Sequence, residues 1–214
     1  TEILGKYSFG ELSYYLITKR RPTPGQLVMF EAVLASLADH GFTPTAIAAR
    51  LTYASAPDSL QGALAAGLLG GGSRFLGVTE DCAHFLAREL KEIGAAPTTQ
   101  EGWDAAALNA VQKQKDIGKF VPGLGHPVHK QGDPRTPVLM AMAREQGLFG
   151  SHLSLFEAIG RVHSQVLGKT LPLNGAGVCG AVLADAGIPM GVMRGVALLA
   201  RCAGLLGHLV EEQT

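Results

Sequence analysis

Residues 171–187 read LPLNGAGVCGAVLADAG, and within them Gly175-Ala176-Gly177-Val178-Cys179-Gly180 has the spacing G-x-G-x-x-G. A dinucleotide-binding turn with this spacing requires a buried strand before the first glycine, a helix after it, and an acidic residue about twenty positions on. Pro172 interrupts the preceding KTLPLN (169–174), no βαβ pattern surrounds it, and Asp185 comes too early. The residues suit Asn174 as the N-cap of a helix from about Ala176 to Ala186, with glycines that let another helix approach closely.

The rest of the chain is punctuated in the same helical way. Ser8 with Glu11, and Thr23-Pro24 with Gln26, have capping-box spacing, in which a side-chain oxygen accepts from an otherwise unpaired first-turn N–H. Thr43-Pro44 opens TAIAARLTYA (45–54), and Ser55 with Asp58 opens SLQGALAAGLLGG (59–71). Thr79 opens EDCAHFLARELKEIG (80–94), and Asp133-Pro134 opens RTPVLMAMAREQG (135–147). Ser151 opens a run that Gly168 closes, and the last element, from Pro189 to Glu212, is apolar on most faces and is expected in the middle of the core. Alternating strand patterns are nearly absent. The predicted class is all-α, with about ten helices.

Composition bounds the function. Eighteen basic residues balance 18 acidic ones, so there is no bulk electrostatic reason to expect nucleic acid or an anionic membrane as partner, and any anion site must be local. Cys82, Cys179 and Cys202 are odd in number and widely spaced, which fits a reducing compartment, the cytoplasm, better than a disulfide framework. The start TEILGKYSFGEL has neither an initiator Met nor a signal pattern, which reads as a beginning inside a longer gene product. No apolar run is expected to reach the length of a membrane span.

Chemistry concentrates in KFVPGLGHPVHKQGDPR (119–135), a long non-periodic loop in which no helix can run until after Asp133. It reads as a solvated connection, or as an anion site where Lys119, Lys130 and Arg135 converge while glycine-rich backbone approaches the ligand. A metal held by His126 and His129 is the weaker reading, because no Cys or carboxylate cluster supplies a third ligand at a sensible spacing. His84, His152 and His163 fall inside amphipathic runs and read as surface or packing residues.

At this loop a family resemblance becomes specific. VPGLGHPVHKQGDPR (121–135) resembles the citrate synthase loop that carries a catalytic histidine followed by a basic stretch and Asp-Pro-Arg. SFGELSYYLITKRRPTPGQ (8–26), LADHGFTPTAIAARL (37–51) and LARCAGLLGHLVEE (199–212) resemble further segments of that family in the same order. GLLGGGSRFLG (67–77) is more similar to the corresponding segment of ATP-citrate lyase and citryl-CoA lyases than to that of citrate synthases.

The resemblance implies an all-helical fold, usually an intertwined homodimer, with a large domain of residues 1–76 and 174–214 and a smaller one of residues 77–173. It implies that His40 and His126 contact the carbonyl or hydroxyl carbon of an oxaloacetate-like substrate and that Arg135 and Arg201 hold its carboxylates. In the cleavage direction His126, the catalytic residue, would accept the hydroxyl proton. Coenzyme A would be received by Lys119, Lys130 and the loop from Val121 through Gly123 to Gly125. The implied substrates are an acyl-CoA with oxaloacetate, or citryl-CoA; CoA enters as a thioester substrate, and no tightly bound cofactor or metal is implied.

Two departures limit the chemistry. Phe75 stands where citrate synthases carry the histidine that hydrogen-bonds the thioester enol, and Ala176 where the family carries the carboxylate that removes the acyl α-proton. Loss of a positioned base costs about 10²–10⁴-fold, or about 3–5 kcal/mol, so ordinary citrate synthase activity is not expected. The alternatives are a different acyl-CoA and keto acid pair with Glu80 as base, or a CoA-binding homologue that kept the pocket and lost turnover.

Overall fold

In the computed structural model, which describes residues 2–213 apart from the side chain of Arg74, the regular structure is helical. Among the described residues there are eleven α-helices, one 3-10 turn and a single isolated bridge, Leu124 to Leu173. The helices are α1 (Phe9–Thr18), α2 (Pro24–Ala38), α3 (Pro44–Ser55), α4 (Leu60–Leu69), α5 (Ser73–Leu76), α6 (Val78–Ile93), α7 (Gln100–Asp116), α8 (Arg135–Glu145), α9 (Ser151–Leu167), α10 (Gly175–Asp185) and α11 (Met193–Glu211). The turn Met190–Val192 leads into α11.

Local chemistry sets most of the boundaries. Ser8 accepts from the Glu11 N–H, Thr23 and Gln26 form a reciprocal capping box, and Asn174 accepts from the Gly177 N–H. Gly168 closes α9 in the left-handed conformation. Two expected starts are corrected. Ser55 ends α3, and α4 begins only after Ser59, which makes no side-chain cap. Thr79 lies buried in the first turn of α6, which starts at Val78 after Gly77.

The principal core is one apolar cluster that includes Tyr14, Phe30, Phe85, Leu86, Leu153, Phe156, Val182 and Val196. It joins helices from both segments of the expected two-domain division; Thr1 and Thr214, at the ends of that division, lie outside the described residues. At its centre α10 packs against α6, α9, α8 and α2. Gly180 makes the closest of these approaches: a Cβ there would meet the Thr79 carbonyl oxygen at 2.2 Å. A second, smaller cluster of Ala46, Ala49, Ala63, Leu205 and Leu209 binds α3 and α4 to α11.

Helix α11 corrects two expectations. With the preceding turn, Met190–Glu211 is long and apolar enough to cross a membrane by length and composition, the test that a core helix of this length also passes. It is not buried all round. Met193, Val196, Ala197, Leu205 and Leu209 face the core, while Leu206 and Val210 are exposed. The same helix carries Arg201, almost wholly buried, toward the site.

Candidate active site

A cavity of about 940 Å³ opens between the C-terminal end of α2, the segment after it, α5, the loop 119–134 and the N-terminus of α10. His40, Phe75, His126, Arg135, Ala176 and Arg201 all line it. Residues from five separate parts of the sequence thus meet around one cavity. The apolar part of the lining includes Leu37, Phe42, Leu76, Val78, Val128 and Ala197 beside Phe75 and Ala176.

His126 is fixed by its own loop. Its Nδ1 accepts from the backbone N–H groups of Val128, at 3.0 Å, and His129, at 2.9 Å. Two donors on Nδ1 put the proton of the neutral ring on Nε2, which lies 3.9 Å from a buried Asp133 oxygen. Burial lowers the pKa of His126 from its ordinary value, against the opposing pull of Asp133. The ring is therefore a neutral hydrogen-bond donor on its substrate side, and acceptance of a proton at Nε2 would require Nδ1–H to face two other N–H groups.

His40 lies across from it, with ring centroids 6.4 Å apart and near-perpendicular planes. Its ring nitrogens make no hydrogen bond among the described residues. Its pKa is also lowered, by the partial desolvation of the ring first and then by the charges of Arg201 and Arg135, although the residue as a whole is exposed.

The two arginines differ. Arg135 is clamped to Asp133: Nε donates to Oδ1 at 3.0 Å and Nη2 to Oδ2 at 2.7 Å, while Nη1 donates to the Ser36 carbonyl at 3.1 Å. Asp133 also accepts from the N–H groups of Arg135 and Gly175. Although burial alone would raise it, these bonds hold the Asp133 carboxyl well below the usual carboxylate range. Gly175 is required here, because a Cβ would lie 2.7 Å from Arg135 Nε. Arg201 is 4% exposed and makes no hydrogen bond or ion pair among the described residues; its buried Nε has no partner. Burial lowers its pKa; the charge of Asp39 works against that and the charge of Arg135 with it. An unpaired buried guanidinium is costly and marks where an anion belongs.

The proposed CoA contacts are not brought to the cavity wall. Val121 is in the core, and the backbone of 121–125 is stitched to the start of α10. Asn174 N–H donates to the Gly123 carbonyl, Asn174 Nδ2 to the Gly125 carbonyl, and Gly125 N–H to the Pro172 carbonyl. Lys119 and Lys130 are exposed, and their ammonium groups make no ion pair among the described residues. Glu80, the alternative base, pairs with Arg194 at 3.2 Å and does not line the cavity.

Three contributors escaped the sequence reading. Asp133 was read as a helix start and as part of the family's Asp-Pro-Arg without a role of its own, yet it is the carboxylate that orients Arg135. Ser36 supplies a backbone carbonyl, for which a sequence carries no signal. Asp39 lines the cavity mouth and is held by His208 Nε2 at 3.2 Å and by the Gly41 N–H. Of the other histidines, His84 is exposed and His163 is buried between the Ile159 carbonyl and the Leu171 N–H. His152 pairs with Asp185 at 2.8 Å. The cysteines near the site are not nucleophiles, because burial raises Cys179 to about 11 and Cys82 further. Among the described residues no three His, Cys, Asp or Glu side chains gather as metal donors.

Comparison with known proteins gives concordant likenesses. A sequence profile described as the citrate synthase C-terminal domain matches residues 2–214. The solved structure of citryl-CoA lyase from Hydrogenobacter thermophilus superposes with a TM-score of 0.88 at 32% identity, covering 100% of this chain and 79% of that one. An aspartate-to-alanine variant of Methanosaeta concilii ATP citrate lyase in complex with (3S)-citryl-CoA gives 0.77 at 25% identity, covering 96% and 34%. Citrate synthase 2 of Bacillus subtilis is 26% identical over 212 residues, 96% of this chain and 52% of that one. The chain thus spans about half the length of this curated relative.

Proposed function

Taking as premise that the chain belongs to the citrate synthase family, as the profile match over residues 2–214 shows, we propose that it is a citryl-CoA-lyase-like enzyme. It cleaves, or in reverse forms, the carbon–carbon bond between an acyl-CoA and oxaloacetate. The observation that carries this reading is Arg201, a buried cation without a hydrogen-bond or ion-pair partner among the described residues, in one cavity with Arg135 and two histidines whose pKa values are lowered.

In the cleavage direction the carboxylates of the oxaloacetate half sit on Arg201 and on the N–H groups of Arg135 that Asp133 and Ser36 leave free. The hydroxyl carbon lies between His40 and His126. The two amide donors on His126 Nδ1 favour a revision of the sequence reading: His40 takes the hydroxyl proton, and His126 donates through Nε2–H to the oxygen as it becomes a carbonyl. The electrons of the breaking bond pass to the thioester carbonyl as an enolate. Residue 176 offers only a methyl group, so water supplies the proton that completes the acyl-CoA.

The CoA phosphates are assigned to the exposed, unpaired Lys119 and Lys130, at the ends of the loop through Val121, Gly123 and Gly125. The large domain of residues 1–76 and 174–214 and the small one of residues 77–173 close on the substrates. A homodimer joined through α3, α4 and α11 is supported by exposed Leu51, Leu69 and Val210 on those helices, and light scattering tests it. The cytoplasm, a reducing compartment, suits three free cysteines.

Incubation with citryl-CoA, following oxaloacetate release, tests the function. Release by the wild type and its loss in Arg201→Met are expected; a wild type no faster than buffer contradicts the reading.

A further inference from the structure

Arg201 is followed on α11 by Gly204 and His208, at i+3 and i+7, so the three share one face of the helix. Arg201 reaches the cavity. At Gly204 the helix lies directly against the backbone that leaves α2: a Cβ there would meet the Ala38 carbonyl oxygen at 1.9 Å and the Asp39 Cα at 3.3 Å. His208, one turn further on, bonds the Asp39 carboxylate, with Nε2 3.2 Å from Oδ1. The whole stripe thus faces the turn Asp39-His40-Gly41.

The partners of His208 fix its tautomer and its direction. Arg50 Nη1 lies 3.1 Å from Nδ1, and a guanidinium can only donate, so Nδ1 accepts and the ring proton sits on Nε2, aimed at Asp39. Phe42 packs on the same ring with centroids 5.5 Å apart, while Arg50 lies over Phe42 and pairs with Glu211 and Glu212. Asp39 Oδ1 also accepts from the Gly41 N–H at 3.1 Å, spanning His40, and Gly41 has the left-handed φ of +65°. The ring of His40 has no hydrogen bond of its own among the described residues, so its place depends on the turn that carries it.

We infer that His208 is a positioning residue for this site: through Asp39 it holds the turn that carries His40 at a fixed distance from Arg201, so that one face of α11 sets the proton acceptor against the carboxylate-binding cation. The inference rests on the functional reading above, in which His40 takes the hydroxyl proton of a substrate whose carboxylate lies on Arg201. The Asp39 side chain is mostly exposed, so its bond to His208 adds little stability. Its consequence is orientation, and a displacement near 1 Å can cost about 10²-fold in rate.

Oxaloacetate release from citryl-CoA and calorimetric binding of oxaloacetate are measured side by side, with each fold checked by circular dichroism. His208→Leu keeps an apolar contact for Phe42 and makes no hydrogen bond, whereas the amide of His208→Gln can accept from Arg50 and donate to Asp39. His208→Leu is expected to lower kcat about 10- to 100-fold while oxaloacetate affinity stays within about threefold, because both arginines still hold the carboxylates. His208→Gln is expected to return kcat to within about threefold of the wild type. In an Asp39→Ala background, His208→Leu is expected to cost less than about twofold, since either change breaks the same link. A folded His208→Leu that keeps the wild-type kcat, or that loses kcat and affinity together, overturns the inference. So does a His208→Gln as slow as His208→Leu, or a double variant in which the two losses multiply. Should His208→Leu not fold, Asp39→Ala decides: loss of kcat at unchanged oxaloacetate affinity supports the inference, and a wild-type kcat overturns it. A wild type that releases no oxaloacetate contradicts the functional reading itself, and the inference falls with it.

Discussion

Arg135 and Arg201 line one cavity, and Arg135 opposes the charge of Arg201, yet only Arg135 is hydrogen-bonded to a carboxylate, the buried Asp133, 2.7 Å from Nη2, while Arg201 has only the longer-range pull of Asp39. Removing the two arginines should therefore have opposite effects on the ligand-free fold. Arg201→Met relieves an unpaired buried charge and is expected to stabilise the protein by about 1–3 kcal/mol while weakening oxaloacetate binding more than about 100-fold. Arg135→Met strands Asp133 and is expected to destabilise it by about 3 kcal/mol, the low end for a broken buried pair because Arg135 is itself partly exposed. Denaturant unfolding of both variants reads the difference, and equal signs would contradict it.

Gly180 and Gly207 are both helical glycines in different surroundings. A Cβ at 180 collides with the Thr79 carbonyl oxygen, whereas one at 207 meets nothing within 4 Å. Gly180→Ala is expected to force α6 from α10 and cost about 1–3 kcal/mol. Gly207→Ala is expected to stabilise by up to about 1 kcal/mol through helix propensity alone. Urea midpoints at unchanged m-value check both.

His40 and His126 both titrate below their ordinary 6.5, each chiefly through burial. A base needed in its neutral form then stays active below that pH. The kcat/KM for citryl-CoA, which reports the free protein, is expected to hold level down to about pH 6.5 and fall only below it; an acid limb centred at or above 6.5 contradicts the assignment. Stability follows the same sign. The folded rings bind protons less readily than the unfolded ones, so their contribution is present above 6.5 and is lost as pH falls through the folded values. Unfolding at about pH 7.5 and about pH 5.5 measures the loss.

What the sequence discloses here is whatever neighbouring residues decide among themselves. Ser8, Thr23, Asn174 and Gly168 act within one turn of their own positions, and they mark helix ends in sequence and structure alike. Ser55 misled because a hydroxyl before an apolar run caps a helix only where the backbone leaves the helix, and α3 continues through it. The N-terminus of α9 is satisfied by Asp185, which accepts from the N–H groups of Gly150, His152 and Leu153. No local pattern reveals that partner. The apolar composition of α11 signalled burial without saying against what, and its outer face remains exposed. Likewise, the residue types of the site were legible in the loop 119–135, whereas the Asp133 clamp and the two amide donors on His126 Nδ1 depend on how the loop folds.

The central claim is that this cavity holds both halves of a citryl-CoA-type substrate but carries no carboxylate where the acyl α-proton leaves. Exchange of acetyl-CoA methyl protons with deuterated water, with an oxaloacetate analogue bound, tests it directly, because exchange reports enolisation without carbon–carbon bond formation. The wild type is expected to exchange slowly and Ala176→Asp faster by about 10²-fold or more, provided the helix aims the new carboxylate at the acyl carbon, since a 1 Å displacement can itself cost about 10²-fold. Phe75→His added to it is expected to raise exchange further, while His126→Ala leaves exchange in the Asp variant nearly intact and impairs citryl-CoA cleavage in the wild type. A wild type that exchanges those protons as fast as Ala176→Asp would contradict the account.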